Sequence, residues 1–308
     1  MRAMLIANPK ATSASRRARD LFVRAFSGEL NLEIATTGHR GHATQLARKA
    51  LDEQYDLVIT LGGDGTVNEA VNGLLTHGPS PDLPALAVLP SGSANVFARA
   101  LGLPNDPHRS AKLILGALRA GRYRDVGLGL ADDRYFTFSG GVGLDAEVVR
   151  TVEALRDSGA RAYPTLYLRT LLRQFFAVTD RRRPAVTVER PGRPPVTGLF
   201  LAVVSNTAPW TYLGPFPINP SPLSDFDSGL AVFGARSLDV RPVLHVIGQM
   251  LLPATTPRRG GGGVSLHDAA EVTLHSSRPV AFQLDGDYLG EREEVVFRSV
   301  PNALRVVV

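Results

Sequence analysis

The 308 residues exceed the length over which a single hydrophobic core grows, so two domains, or one domain and a large lobe, are expected. The absence of cysteine excludes disulfides, a thiol nucleophile and Cys-ligated zinc or iron–sulfur sites. A net charge of +5 and an isoelectric point of about 9.8 suit polyphosphates, anionic membrane surfaces or nucleic acid, without choosing among them.

Ala3 to Asn8 reads as a first strand ending in Asn8-Pro9-Lys10. Only Met4 to Ala7 is apolar before that corner, too short for a signal h-region. The longest apolar run, around Val243 to Leu252, is too short to span a bilayer, so a soluble cytoplasmic protein is expected. Ser13 or Ser15 can cap a helix from Arg16 to Phe26, with Leu21, Phe22, Ala25 and Phe26 on its apolar face and Gly28 as its stop. Leu30 to Thr36 is a second strand. It leads through Thr37-Gly38-His39-Arg40-Gly41-His42-Ala43 into a helix reaching Ala50. His39 and His42 have metal-ligand spacing, but no glutamate completes a zincin-type motif.

Leu57 to Thr60 is short, apolar and β-branched, like a buried parallel strand. It runs into Leu61-Gly62-Gly63-Asp64-Gly65-Thr66-Val67-Asn68-Glu69, and Val67 to Leu75 continues as helix. Glycine reaches positive φ without penalty and lets a ligand approach the backbone, so this corner reads as a phosphate-binding loop at a helix N-terminus. Asp64 would repel a bare phosphate but suits Mg²⁺ between carboxylate and phosphate oxygens, which points to a Mg-nucleotide. The alternative is a sharp turn capped by Asp64 or Thr66. Ala85 to Leu89 is a fourth strand, followed by Pro90-Ser91-Gly92-Ser93-Ala94-Asn95 and a helix over Val96 to Leu101; Ser93 and Asn95 contact phosphate or cap that helix. A helix from Pro107 to Arg119 closes the first domain. Four strand ends thus present small polar residues where open α/β sheets hold ligands.

After Arg122, short β-rich runs dominate. Tyr135 to Gly141, Ala185 to Glu189, Val196 to Ser205 and Leu230 to Gly234 read as strands. Val142 to Ala146 opens a long helix, Thr165 to Thr179 is another, and Gly260 to Gly263 is a loop. Phe282-Gln283-Leu284 meets Asp285-Gly286-Asp287, where Asp-Gly is a hairpin signal. The turn accounts for Asp285 and Gly286 but not for a second carboxylate at Asp287. The basic clusters Arg16, Arg17 and Arg19, and Arg181 to Arg183, read first as solvated charge. No aromatic-interleaved stripe accompanies them, so nucleic acid is not an expected partner. Neither a Walker A motif nor a complete GxGxxG is present.

Together, the Asn8-Pro9 corner, Thr37 with Gly41-His42-Ala43, the block from Gly62 to Glu69, Pro90-Ser91-Gly92-Ser93-Ala94-Asn95 and Asp285-Gly286-Asp287 resemble the diacylglycerol kinase catalytic-domain family, which includes sphingosine and ceramide kinases. The resemblance implies an α/β fold: an N-terminal Rossmann-like, NAD kinase- and phosphofructokinase-like ATP domain over residues 1–125, to which 300–308 return, and a C-terminal β-sandwich for the lipid over 126–299. It implies ATP contacts at Asn8, Thr37, Gly63, Asp64, Gly65, Thr66, Val67, Asn68, Glu69 and Ser93, with Mg²⁺ organised by Asp64 and Asp287 as general base.

This sequence departs from the family pattern at three places. Val96 stands where an Asp is usual, Asp287 where a Glu is usual, and Ser228 where an Asp holds a structural Mg²⁺, for which Asp225 or Asp227 could substitute through a register shift. The expected activity is ATP- and Mg²⁺-dependent phosphorylation of a neutral lipid, diacylglycerol first and a sphingoid base second, at an anionic membrane surface reached through Arg181 to Arg183. A homodimer is compatible with this reading. The rivals are an NAD kinase, which shares the Asp64 loop, and a nucleotide- or lipid-binding protein without catalysis.

Overall fold

The computed structural model describes residues 1–11, 16–157, 183–250 and 263–308. The expected caps Ser13 and Ser15, the helix over 165–179, Arg181, Arg182 and glycines 260–262 lie outside these residues, as do the side chains of 16–21. The chain forms two compact units, one of residues 1–128 with 301–308 and one of residues 129–300.

The first unit alternates strand and helix: β1 (Arg2–Ala7), α1 (Arg16–Ser27), β2 (Asn31–Thr36), α2 (His42–Asp52), β3 (Leu57–Gly62), α3 (Asp64–Leu74), β4 (Ala85–Pro90), α4 (Val96–Ala100) and α5 (Pro107–Arg119). β1 pairs in parallel with β2 on one side and β3 on the other, and β4 pairs in parallel with β3. From the returning C-terminal segment, Val306 pairs in parallel with Leu86 of β4. Every residue of β3 and β4 is buried, as unbroken apolar strands require in a sheet covered on both faces. Leu5, Ile59 and Ala87 share a core with Phe22 and Phe26 of α1 and Ile114 of α5. α3 packs on α2 so closely that a Cβ on Gly73 would lie 2.4 Å from the Thr44 carbonyl oxygen. With strand order β2-β1-β3-β4, the chain reverses direction of travel across the sheet between β1 and β3. The carboxyl ends of such a pair border the crevice where doubly wound sheets take ligands.

β5 (Tyr123–Ala131) leads into the second unit, which is sheet-rich. It comprises β6 (Arg134–Phe136), β7 (Ser139–Gly143), α6 (Leu144–Asp157), β8 (Val186–Arg190), β9 (Arg193–Leu199), β10 (Leu201–Ser205), a separate hairpin of β11 (Thr211–Leu213) and β12 (Phe216–Ile218), β13 (Leu230–Ala235), α7 (Val240–Met250), β14 (Gly263–Ala269), β15 (Glu271–Leu284) and the first part of β16 (Asp287–Val307). The antiparallel order is β14-β13-β10-β7-β15. β15 pairs with β16 along its length, with β8 through residues 273–276 and with β7 through 282–284, so one long strand serves three neighbours. Phe297 lies edge-on to both Phe136 and Phe282, with centroids 5.8 and 6.3 Å away, at the centre of this core.

Two stretches expected as single strands are divided. Tyr135 to Gly141 splits into β6 and β7 because the backbone N–H groups of Thr137 and Phe138 turn to the Asp285 carboxylate. Val196 to Ser205 splits into β9 and β10: Gly198 adopts φ +74°, the Phe200 N–H donates to Ala235 O, and β10 inserts between β7 and β13. Among the described residues no helix is long and apolar enough to cross a membrane.

Candidate active site

In the first unit the carboxyl ends of β1, β3 and β4 are tied together. The Asn8 N–H donates to Leu61 O at 2.9 Å, and Asn8 Nδ2 donates to Thr66 Oγ1 at 3.1 Å. The β3 and β4 corners meet backbone to backbone: a Cβ on Gly63 would lie 3.1 Å from Gly92 Cα, and one on Gly92 would lie 2.6 Å from Gly63 Cα. Asn95, held at φ +50°, braces its corner by accepting from Gly92 N and donating to Gly92 O, each at 2.9 Å, and by donating to Asn105 Oδ1 at 2.6 Å.

The reason for the glycines differs from the sequence expectation. α3 begins at Asp64, with Gly63 as its N-cap at φ −93°, so Gly65 lies within the first helical turn. None of Gly62, Gly63 and Gly65 is among the positive-φ residues. The constraint on Gly62 and Gly63 is space: a Cβ on Gly62 would lie 2.5 Å from the Thr66 side chain, and Gly63 abuts Gly92. Asp64 sits at the helix N-terminus, where the macrodipole favours a carboxylate, and its Oδ1 accepts from Phe97 N at the start of α4, at 3.2 Å. It thereby couples the β3 and β4 corners.

The other candidates divide by exposure. Gly63, Asp64, Gly65 and Thr37 are part-exposed, as is Asn8, and Ser93 is exposed, so all can reach a ligand. Val67 is 2% and Asn68 0% exposed, and Thr66 is also buried; the side chains of Val67 and Asn68 are packed inside, and Thr66 Oγ1 accepts from Asn8 Nδ2. The Glu69 carboxylate is engaged elsewhere, accepting from Gly41 N at 2.8 Å and Ala43 N at 3.1 Å. Gly41 offers no side-chain cap of its own, so Glu69 of α3 caps α2 across the helix pair. Glu69 thus ties α3 to the loop that leads into α2. His39 and His42 stack with centroids 4.9 Å apart, and His42 Nδ1 accepts from Gly38 N.

In the second unit Asp285 and Gly286 adopt φ +50° and +81°, and Leu284 pairs with Asp287. Two central residues at positive φ are the signature of a tight hairpin turn. Asp285 is nonetheless more than a turn former. It is 5% exposed, and its carboxylate accepts from Thr137 N (2.6 Å), Thr137 Oγ1 (2.8 Å), Phe138 N (3.0 Å) and Ser139 N (3.1 Å). Gln283 Oε1 adds an acceptor for Gly286 N at 3.0 Å. Asp287, fixed by this clamp, lies 3.5 Å from Arg134 Nη2 through its Oδ2. Burial raises the pKa of the neighbouring Tyr135 hydroxyl, which keeps it protonated. No local signal in the sequence pairs Asp285 with Thr137 or Asp287 with Arg134, because about 150 residues separate the partners.

A magnesium ion fits one of the two expected places. Mg²⁺ commonly takes one or two protein carboxylates plus substrate phosphates, so Asp64 alone suffices for a metal that arrives with a nucleotide. The structural metal does not fit. Asp225 Oδ1 accepts from Asp227 N, and Ser228 Oγ donates to Asp225 O, so these residues close a turn on themselves. Among the described residues no group of three or more His, Cys, Asp or Glu side chains is placed to hold a metal ion.

A parallel sheet reversing at β1 and β3, with a glycine corner and an Asp at the following helix N-terminus, is an open α/β sheet of the class that takes ligands at its switch point. Comparison narrows it. Residues 2–128 match the diacylglycerol kinase catalytic domain. The chain is 36% identical over 140 residues to diacylglycerol kinases of Staphylococcus aureus, strains JH9 and Newman among them; the match covers 44% of this chain and 41% of those relatives. A diacylglycerol kinase structure from Bacillus anthracis superposes with a TM-score of 0.73 at 19% identity, covering 99% of this chain and 96% of that one. An NAD kinase from Archaeoglobus fulgidus in complex with ATP gives 0.53 at 10% identity, covering 100% and 94%. At those identities the two structures share the fold, an α/β sheet followed by a sheet-rich part.

Proposed function

We propose that the protein is an ATP-dependent lipid kinase transferring the γ-phosphate to the hydroxyl of a neutral lipid, diacylglycerol giving phosphatidic acid. The observation that carries this reading is the coincidence of the family segment, residues 2–128, with the glycine corner bearing Asp64 at the β1/β3 switch point. The β- and γ-phosphates take the N–H groups at the start of α3, with Asn8, Thr37 and Ser93 around them. Asp64 would hold a Mg²⁺ brought by the nucleotide, which would supply neutralisation of phosphate charge. Phosphoryl transfer depends chiefly on such positioning and charge neutralisation, with a carboxylate to receive the acceptor proton. Asp287 takes that role: it is partly accessible, and the Asp285 clamp fixes its backbone. The acceptor is met at an anionic membrane surface.

The test is transfer of labelled γ-phosphate from ATP to mixed micelles of diacylglycerol, sphingosine, ceramide or no lipid, alongside NAD. Label in phosphatidic acid, abolished in Asp64→Ala, is the expected result. Asp287→Asn lowers turnover by about 10²- to 10⁴-fold, the usual worth of a general base, while ATP binding persists. Label in NADP, or bound ATP with no labelled product, refutes the lipid-kinase reading.

A further inference from the structure

The C-terminal unit contains a second concave site, which the proposed reaction does not use. A cavity of about 110 Å³ is lined by Arg150 of α6, Arg183 just before β8 and Arg278 of β15, with Glu147, Glu291 and Phe200 beside them. Three arginines from three separate elements therefore face two carboxylates. Arg150 is matched to Glu291, Nη1 to Oε1 at 3.3 Å. Arg278 Nη2 donates to the Arg183 carbonyl oxygen at 3.0 Å, which orients the guanidinium without neutralising it. Among the described residues neither Arg183 nor Arg278 has a carboxylate within ion-pair distance.

Holding cations together at one concave site is unfavourable unless an anion completes it. The guanidinium fork matches tetrahedral oxyanions in a bidentate manner. Size narrows the choice: sites for drug-sized ligands run from roughly 300 Å³ upward, so this cavity admits one phosphate group and not a nucleotide or an acyl chain. Charge favours an anion, since three arginines against two carboxylates leave the lining net positive, and a phosphate monoester, with three free oxygens to a diester's two, offers more acceptors to the guanidinium forks of Arg183 and Arg278.

We infer that this pocket binds a phosphate monoester through Arg183 and Arg278. The group can belong to a lipid headgroup at the membrane or to a soluble phosphate. The lipid source rests on the lipid-kinase reading, whose product carries such a group; the pocket itself does not depend on it.

The full chain, with its nucleotide site saturated by a non-hydrolysable ATP analogue, is titrated with inorganic phosphate by calorimetry. It is then mixed with phosphatidylcholine vesicles carrying either phosphatidic acid or phosphatidylglycerol at equal surface charge. Phosphate binding that weakens about tenfold or more in the double variant Arg183→Gln/Arg278→Gln is the expected result, from the loss of charge-assisted hydrogen bonds. Arg278→Lys, which keeps the charge and loses the fork, falls between the two, so a folding defect in the double variant does not decide the outcome. A preference for phosphatidic acid vesicles that disappears in the double variant assigns the lipid source. Phosphate binding with no vesicle preference assigns the soluble one. No phosphate binding by the unmutated chain, or equal binding by well-folded variants, overturns the proposal. Neither arm requires turnover, so its failure and that of the kinase assay are separate results.

Discussion

Asp285→Asn tests whether a carboxylate organises the C-terminal turn. The native side chain accepts four hydrogen bonds, three of them from consecutive backbone N–H groups. An amide retains one acceptor oxygen and turns its NH₂ toward the remaining donors, so about two bonds are lost and those donors are left buried without a partner. Hydrogen bonds to a charged group contribute about 1.5–3 kcal/mol each, which gives a loss of about 3–6 kcal/mol. The neutral amide costs less to bury and returns part of that, leaving about 3 kcal/mol. At about 2–4 °C per kcal/mol for a unit of this size, the C-terminal transition falls by about 6–12 °C. Trp210 is the single tryptophan of the chain and belongs to this unit, so its fluorescence during thermal or urea unfolding reports on the relevant part of the molecule. A loss below about 1 kcal/mol, the worth of one ordinary hydrogen bond, would mean that Asp285 serves the turn alone and would refute the clamp.

Gly92→Ala brings a Cβ to within 2.6 Å of Gly63 Cα, and neither backbone can rotate away. Overpacking of this kind costs about 1–3 kcal/mol, and separation of the two corners should lower ATP affinity by about tenfold. Unchanged affinity in a calorimetric titration would show that the corners do not shape the nucleotide site. A third outcome concerns pH. Lys49 first, then Tyr55, hydrogen-bond the Glu33 carboxylate and hold its pKa below the ordinary glutamate value. A depressed folded value stabilises the protein above the unfolded pKa, and that stability disappears as pH falls through the folded value. Lys49→Met should therefore lower the melting temperature at neutral pH and converge with the unmutated protein at acid pH. A difference that persists at the lowest pH would refute the linkage.

Local chemistry already displayed much of the fold. Leu57 to Thr60 and Ala85 to Leu89 are apolar without alternation because their sheet is covered on both faces, and that pattern is visible without knowing what covers them. Asp285-Gly286 announces a hairpin because positive φ is a property of the residues themselves. The corner at Gly62 to Thr66 could be located by composition for a similar reason: a strand, then glycine, then a helix-favouring acidic residue are neighbours in the chain.

The employment of the side chains was settled by partners distant in sequence. Gly92 must be glycine because Gly63 lies against it, not because the turn needs positive φ. Glu69 caps a helix that begins some 27 residues earlier, and the Asp285 carboxylate breaks an expected strand at Thr137, 148 residues away. Arg183 stays exposed, yet it shares the lining of one cavity with Arg278 and Arg150, about 95 and 33 residues away. Sequence alone determined which segments are buried and where the backbone must turn, since those depend on the residue and its immediate neighbours. Which carboxylate receives which N–H, and which cations share a pocket, only the tertiary structure decided, because hydrogen bonds and ion pairs act over about 3–4 Å in space whatever the separation along the chain.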